Sequence, residues 1–294
     1  MMPIGDVKVT LIRETLQSVP ATGMYTNPDM AVFEANADWL KPHFMEESGN
    51  LPLSIHALVL ESEGQTVMVD TCIGNRPIEM VPQMSHLGTG FLDELAAAGY
   101  EPPDIDVVLC THLHFDHVGW NTILVDAKWV PAFPNARYLF NRTEYDYWDS
   151  GAEGAAVTFG DAVQPVMEAG LADLVDSHHQ VTGEIRLMPT PGHTPGHVSV
   201  QISSRGQEAV ITGDLVHHPV QFAAPDWIMT ADDDPSRASA TRVEFRERYA
   251  DSGVLILGTH FAGPGCGHLS RTGNRWVFQA PAPGSSPGTV TSHG

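Results

Sequence analysis

Short apolar runs that stop at a histidine or an aspartate recur along this chain of 294 residues. Ile105-Asp106-Val107-Val108-Leu109-Cys110 leads into Thr111-His112, Ala209-Val210-Ile211-Thr212-Gly213 leads into Asp214, and Val254-Leu255-Ile256-Leu257-Gly258-Thr259 leads into His260. Runs of this length, rich in β-branched and aliphatic residues, read as buried strands. Val198-Ser199-Val200-Gln201-Ile202 is another, and it directly follows Gly192-His193-Thr194-Pro195-Gly196-His197. Polar groups at the ends of such strands gather on the loops where α/β proteins do chemistry.

The remaining pattern frames these runs. Val7 to Ile12 reads as a first strand. Ser54–Leu60 and Thr66–Val69, separated by Glu63-Gly64, read as a hairpin. Apolar positions at Phe91, Leu92, Leu95 and Ala96 have helical spacing, with Gly99 as the stop. Arg137–Asn141 reads as a short strand, Thr143–Trp148 as the start of a helix, and 161–169 as a further helix. Asp234-Pro235-Ser236 caps a helix over 237–250. Residues 13–52 are a long segment of mixed polar, Gly and Pro positions, interspersed with Met24, Tyr25, Met30, Phe33, Trp39, Phe44 and Met45. Long irregular segments are often lids or binding loops, so this one is expected to be a lid or a homodimer arm. From residue 280 on, Pro, Gly, Ser and Thr dominate, and a disordered tail over 280–294 is expected behind one domain spanning 1–279.

Composition narrows the functions open to such a chain. With 42% hydrophobic residues it can bury a large core. Thirty-six acidic against fifteen basic residues give a net charge of −21, which opposes nucleic-acid and anionic membrane partners. Cys72, Cys110 and Cys266 are an odd number without metal-type spacing, so reduced thiols are expected. No stretch has the length and apolarity of a membrane span, and Met1–Val9 lacks the pattern of a secretion signal, so the expected location is cytoplasmic.

The candidate chemistry is concentrated in Thr111-His112-Leu113-His114-Phe115-Asp116-His117. Imidazole and carboxylate suit zinc first, with Fe, Mn, Co and Ni as alternatives. His112 and His114, two apart on extended backbone, point to one side and can share a metal; Asp116 and His117 follow where the chain turns and can face a second.

This HxHxDH word, with His193, Asp214 and His260 following in order, resembles the metallo-β-lactamase-fold metallohydrolases. The resemblance runs from about residue 50 to about 275 and implies an α/β, four-layer αββα sandwich. It implies one metal on His112, His114 and His193, a second on Asp116, His117 and His260, and Asp214 between them. It also implies that Asp70 orients ligand residues without touching metal. Two divalent ions sharing a carboxylate lower the pKa of a bridging water enough to supply hydroxide near neutrality, with Asp116 orienting the nucleophile or shuttling its proton.

The stretch Gly258–Leu269 and the run Gly213-Asp214-Leu215-Val216-His217 resemble the methyl parathion hydrolase and N-acyl-homoserine lactonase branch. Many of those lactonases have a tyrosine three residues after the bridging Asp; here His217 takes that place, as a candidate proton donor. His218, Trp120, Phe222, Trp227, Ile228 and Met229 are candidate walls of an apolar pocket. With few basic residues near the motifs, the expected substrate is a small neutral lactone or ester. A phosphotriester, or a thioester as in glyoxalase II, is the alternative, and di-iron redox chemistry ranks below both.

Overall fold

The computed structural model describes residues 1–152 and 159–281. In chain order the first strands are β1 (Met2–Ile4), β2 (Val7–Val19), β3 (Leu51–Ser62), β4 (Gln65–Val69), β5 (Val107–Leu109), β6 (Thr122–Val125), β7 (Lys128–Pro131), β8 (Arg137–Asn141) and β9 (Ala172–Val175). They are followed by β10 (Ile185–Pro189), β11 (Val198–Ser204), β12 (Gln207–Ile211), β13 (Leu255–Leu257), β14 (Cys266–Thr272) and β15 (Arg275–Gln279). One seven-stranded sheet has the order β1-β2-β3-β4-β5-β8-β9, a six-stranded sheet runs β10 to β15 in sequence, and β6-β7 is a separate hairpin.

Period-two alternation assigns each strand residue to a layer. Val107 and Leu109 of β5 join Leu58, Leu60, Val200 and Ile211 in the core between the two sheets. Val108 and the following Cys110 point the other way, into a core with Phe91, Leu95, Tyr138 and Phe140. On the far side of the second sheet, Val210, Ile256 and Phe278 pack with Phe245 and Tyr249 of the helix Pro235–Tyr249. Both sheets are thus covered on both faces, the sandwich that the sequence resemblance implies.

The β3–β4 turn is the expected hairpin: Ser62 pairs with Gln65, and Glu63 and Gly64 both take positive φ, as a two-residue turn matched to strand twist requires. Asn141 caps the helix Arg142–Asp149 through the Glu144 N–H, and Asp234 caps the next long helix through Arg237. Several boundaries differ from expectation. The strand expected over Val7–Ile12 is preceded by the short β1 and continues to Val19 as β2, with a bulge between Arg13 and Thr15. Residues 13–52 are therefore not one irregular arm. After β2 they form the short helices Ala21–Met24, Met30–Ala35 and Ala37–Leu40, whose Met24, Phe33 and Leu40 are buried in the third core. β5 and β13 are shorter than their apolar runs, which leaves Cys110–His112 and Gly258–His260 as loop. The expected tail, apart from residues 280 and 281, lies outside the described residues. No described helix is long and apolar enough to cross a membrane.

Candidate metal centre

Five loops, each leaving a strand of one of the two sheets, bring the histidines and aspartates together. After β4 the chain passes through Asp70 at φ 59°, a left-handed conformation that costs a non-glycine residue energy and recurs at functional sites. Its carboxylate accepts the Thr111 N–H (2.7 Å) and hydroxyl (2.9 Å) and faces His117 Nδ1 at 2.8 Å, so it fixes the start of the histidine loop and one of its rings. After β12, Gly213 at φ 55° turns the chain so that Asp214 enters the site; a Cβ there would lie 2.5 Å from His197 Nε2. That His197 nitrogen accepts the Asp214 N–H at 2.8 Å.

Two donor groups result: His112, His114, His193 and Asp214 in one, and Asp116, His117 and His260 in the other. In the first, His114 Nδ1 lies 3.0 Å from His112 Nε2 and 2.9 Å from His193 Nε2. In the second, His117 Nε2 and His260 Nε2 are 3.2 Å apart, and Asp116 Oδ2 is 3.5 Å from His260 Nε2. Asp214 stands between them. Its Oδ2 is 3.7 Å from His112 Nε2 and 3.4 Å from His193 Nε2, while its Oδ1 is 3.2 Å from His117 Nε2 and 3.1 Å from His260 Nε2.

The outer ring nitrogens show which way the lone pairs point. His193 Nδ1 meets Asp232 Oδ1 at 3.1 Å, His260 Nδ1 meets the Ser54 carbonyl at 3.1 Å, and His117 Nδ1 meets Asp70. Thr111 Oγ1, which gives its own proton to Asp70, is 3.1 Å from His112 Nδ1. At these four rings Nδ1 meets an outer acceptor and Nε2 turns inward toward the other donors and Asp214, whereas His114 turns its Nδ1 inward. Such an arrangement is repulsive unless cations sit within it. Nitrogen and oxygen donors without a thiolate, with their outer nitrogens held by carboxylate or carbonyl, fit divalent cations such as zinc.

The electrostatics agree. Burial, ahead of all other causes, lowers His112 well below the ordinary histidine value, His114 to about 3 and His193 to about 4, which leaves neutral rings free to ligate. Burial opposes charge on His117 and His260 as well, yet Asp214 and Asp116, with Asp70 beside His117, raise both. Asp214 is buried too, but His117, His260, His217 and His112 hold its carboxyl well below the usual range. The centre calls for positive charge between its two halves.

Above it opens a cleft of about 540 Å³, lined among others by Val19, Pro20, Met24, Leu53, Met80, Val81, Met84, Phe115, Trp148, Met229 and the centre itself. Among the described residues, no Lys or Arg lines it. His217 belongs to this lining: its ring stacks on His260, Nε2 lies 3.1 Å from Asp214 Oδ2, and Nδ1 has no hydrogen-bond partner among the described residues. Met229 is also a wall residue, as expected, whereas the five other expected wall residues are not. Trp120 stacks on Phe91 and donates its indole N–H to Glu14 at 2.6 Å. Phe222 lies between Phe245 and Phe278, and Trp227 packs on Tyr25 and Phe33. His218 is buried with Nε2 2.6 Å from the Phe44 carbonyl. Ile228 is 41% exposed and outside the lining. The other four satisfy packing or a backbone group instead.

Two contributors escaped the sequence reading. Asp232, besides holding His193, pairs with Arg242 at 3.1 Å; burial works against its charge, but His193 and Arg242 hold its carboxyl down at about 2. Arg242 in turn donates to the carbonyls of Pro225 and Trp227. The other is His197, whose position beside Asp214 is described above.

A metallo-β-lactamase superfamily model matches residues 51–260, and the chain belongs to that superfamily. An N-acyl homoserine lactonase of a Bacillus species is 26% identical over 174 residues, which cover 55% of this chain and 63% of the relative. The lactonase AttM of Rhizobium radiobacter is 31% identical over 121 residues, 38% of this chain and 41% of its own. The chain thus spans less than two thirds of the length of these curated relatives. Among solved structures, the hydrolase AbOPH of the β-lactamase superfamily superposes with a TM-score of 0.79 at 26% identity, covering 95% of each chain. AidC, a dizinc quorum-quenching lactonase, gives 0.77 at 20% identity and 96% of each chain, a likeness of fold.

Proposed function

We propose that this protein is a dinuclear metal-dependent hydrolase that opens a small neutral lactone or ester. The observation that carries the reading is the placement of Asp214, with one carboxylate oxygen toward each histidine group. His112, His114 and His193 would hold one ion and Asp116, His117 and His260 the other, with zinc favoured by the donor set and Fe, Mn, Co and Ni also compatible. Bound there, two divalent ions supply Lewis acidity and an activated water.

The chain's own residues do the rest. Asp116 lines the cleft and is partly open to it, so its carboxylate is placed to orient an attacking water and take up its proton. His217, on the same cleft beside Asp214, is the proposed source of the proton that a leaving alkoxide needs. The apolar walls exclude water from the acyl side of the substrate. A lining without Lys or Arg among the described residues favours a neutral substrate over a carboxylate-bearing thioester of the glutathione type. The lactonase relatives make acyl-homoserine lactones the first substrates to try.

The test is turnover by metal-replete protein on a panel of lactones, aryl esters and phosphotriesters. Highest kcat/KM on lactones is expected. Highest kcat/KM on a phosphotriester would shift the reading to that class, and no turnover on any of the three would overturn it.

A further inference from the structure

We infer that Glu144 is a positioning residue for the first histidine group: its carboxylate locks the loop carrying His112 and His114 to the loop carrying His193. Glu144 sits in the first turn of the helix Arg142–Asp149 and is 1% exposed. Its Oε1 accepts the N–H of Leu113 at 3.1 Å and the indole N–H of Trp148 at 2.7 Å. Its Oε2 accepts the N–H of Gly196 at 2.9 Å. Leu113 lies between His112 and His114, and Gly196 lies three residues after His193. One carboxylate therefore spans two loops that leave different sheets.

None of these partners is positively charged, and an unpaired buried carboxylate is expensive unless hydrogen bonds replace its water. Burial accordingly pushes the Glu144 carboxyl up, while the Trp148 indole, the Thr194 hydroxyl and the two backbone N–H groups work in the other direction. The backbones confirm how tightly the parts are set. A Cβ on Gly196 would lie 2.2 Å from the Glu144 nitrogen, so the second loop rests directly on the helix end. Trp148, one turn further along the same helix, presents its ring edge-on to His114 at 5.3 Å between centroids. Glu144 touches no donor atom of the centre; it acts through Leu113, Gly196 and Trp148. With both loops fixed beforehand, the three imidazoles converge without the ion having to order them, and less affinity is lost to ordering.

This inference rests on the proposal that the first group binds metal, and one experiment separates the two. The metal-replete wild type and Glu144→Gln are titrated with a chelator, counting ions per chain at each step and following cobalt(II) absorption in cobalt-loaded samples. An amide in place of the carboxylate must turn an N–H₂ toward one of the three N–H donors. Weakening of one of the two ions by about 10–100-fold, with the other retained, is expected. Equal weakening of both, or of neither, would overturn the role of Glu144. A wild type that holds no ion would overturn the metal reading itself. A measurement on the wild type covers the case of a variant that does not fold: amide exchange at Leu113 and Gly196 before and after the metal is stripped. Slow exchange at both in the stripped protein supports the inference, and fast exchange there refutes it.

Discussion

The floor and the walls of the cleft are built on opposite principles. The floor is polar and rigid: His112, His117, His193, Asp214 and His260 are each at most 2% exposed, and each is fixed by a hydrogen bond or ion pair to another group. The walls are mostly apolar side chains, with Gln17, Ser18 and Gln83 among them, from segments far apart in the chain, 17–24, 80–84 and 229–231, and Met80 is 65% exposed. A floor of carboxylates and lone pairs fixes what chemistry occurs, since moving one donor unbalances the charge of all. A wall rich in methionine fixes only what fits, because flexible thioethers repack around different shapes.

That contrast orders the expected effects of substitution. Asp214→Asn or His114→Ala should remove hydrolysis to background while far-ultraviolet circular dichroism stays that of the wild type, because these candidate ligands lie on loops above an intact core. Retained turnover would break the distinction at its strongest point. His217→Ala should lower kcat by about 10²–10⁴-fold on lactones, the range of a lost general acid, and much less on nitrophenyl esters, whose leaving group needs no proton. Equal losses on both would make His217 a shaping residue. Asp232→Asn leaves His193 a neutral acceptor and Arg242 a buried charge without its counter-ion. It should weaken metal binding by about 10–100-fold, read by chelator competition.

The smallest functional effect belongs to the walls. Met80→Ala should change KM by under about ten-fold and leave kcat unchanged, most visibly for long acyl chains. Trp120→Phe sharpens the comparison from outside. Losing its hydrogen bond to Glu14 should cost about 1–3 kcal/mol in denaturant unfolding without changing KM, because the ring faces the core and not the cleft.

The same division explains what the sequence made legible. Apolar runs mark strands, β5 and β13 end within a few residues of their runs, and a histidine or aspartate just beyond has few places to go. All seven residues singled out as ligands lie together for that reason. Walls carry no such mark. Trp120, Phe222 and Trp227 are near the candidate ligands in sequence, but large rings are stabilised by packing, and Trp120 and Phe222 are buried in the cores while Trp227 packs, partly buried, against the third. Asp232 stands in the run Asp232-Asp233-Asp234, where nothing local tells which of three carboxylates turns inward. The strand beyond Ile12 was hidden by its bulge, which breaks the alternation at Glu14 and sends that carboxylate to the N–H of Ile73 at 2.7 Å and the indole of Trp120 at 2.6 Å.

The central claim is that Asp214 joins two ions in one reacting centre, and elemental analysis of metal-replete protein tests it most directly. Two divalent ions per chain are predicted for the wild type. One ion per chain after full metal loading would contradict it.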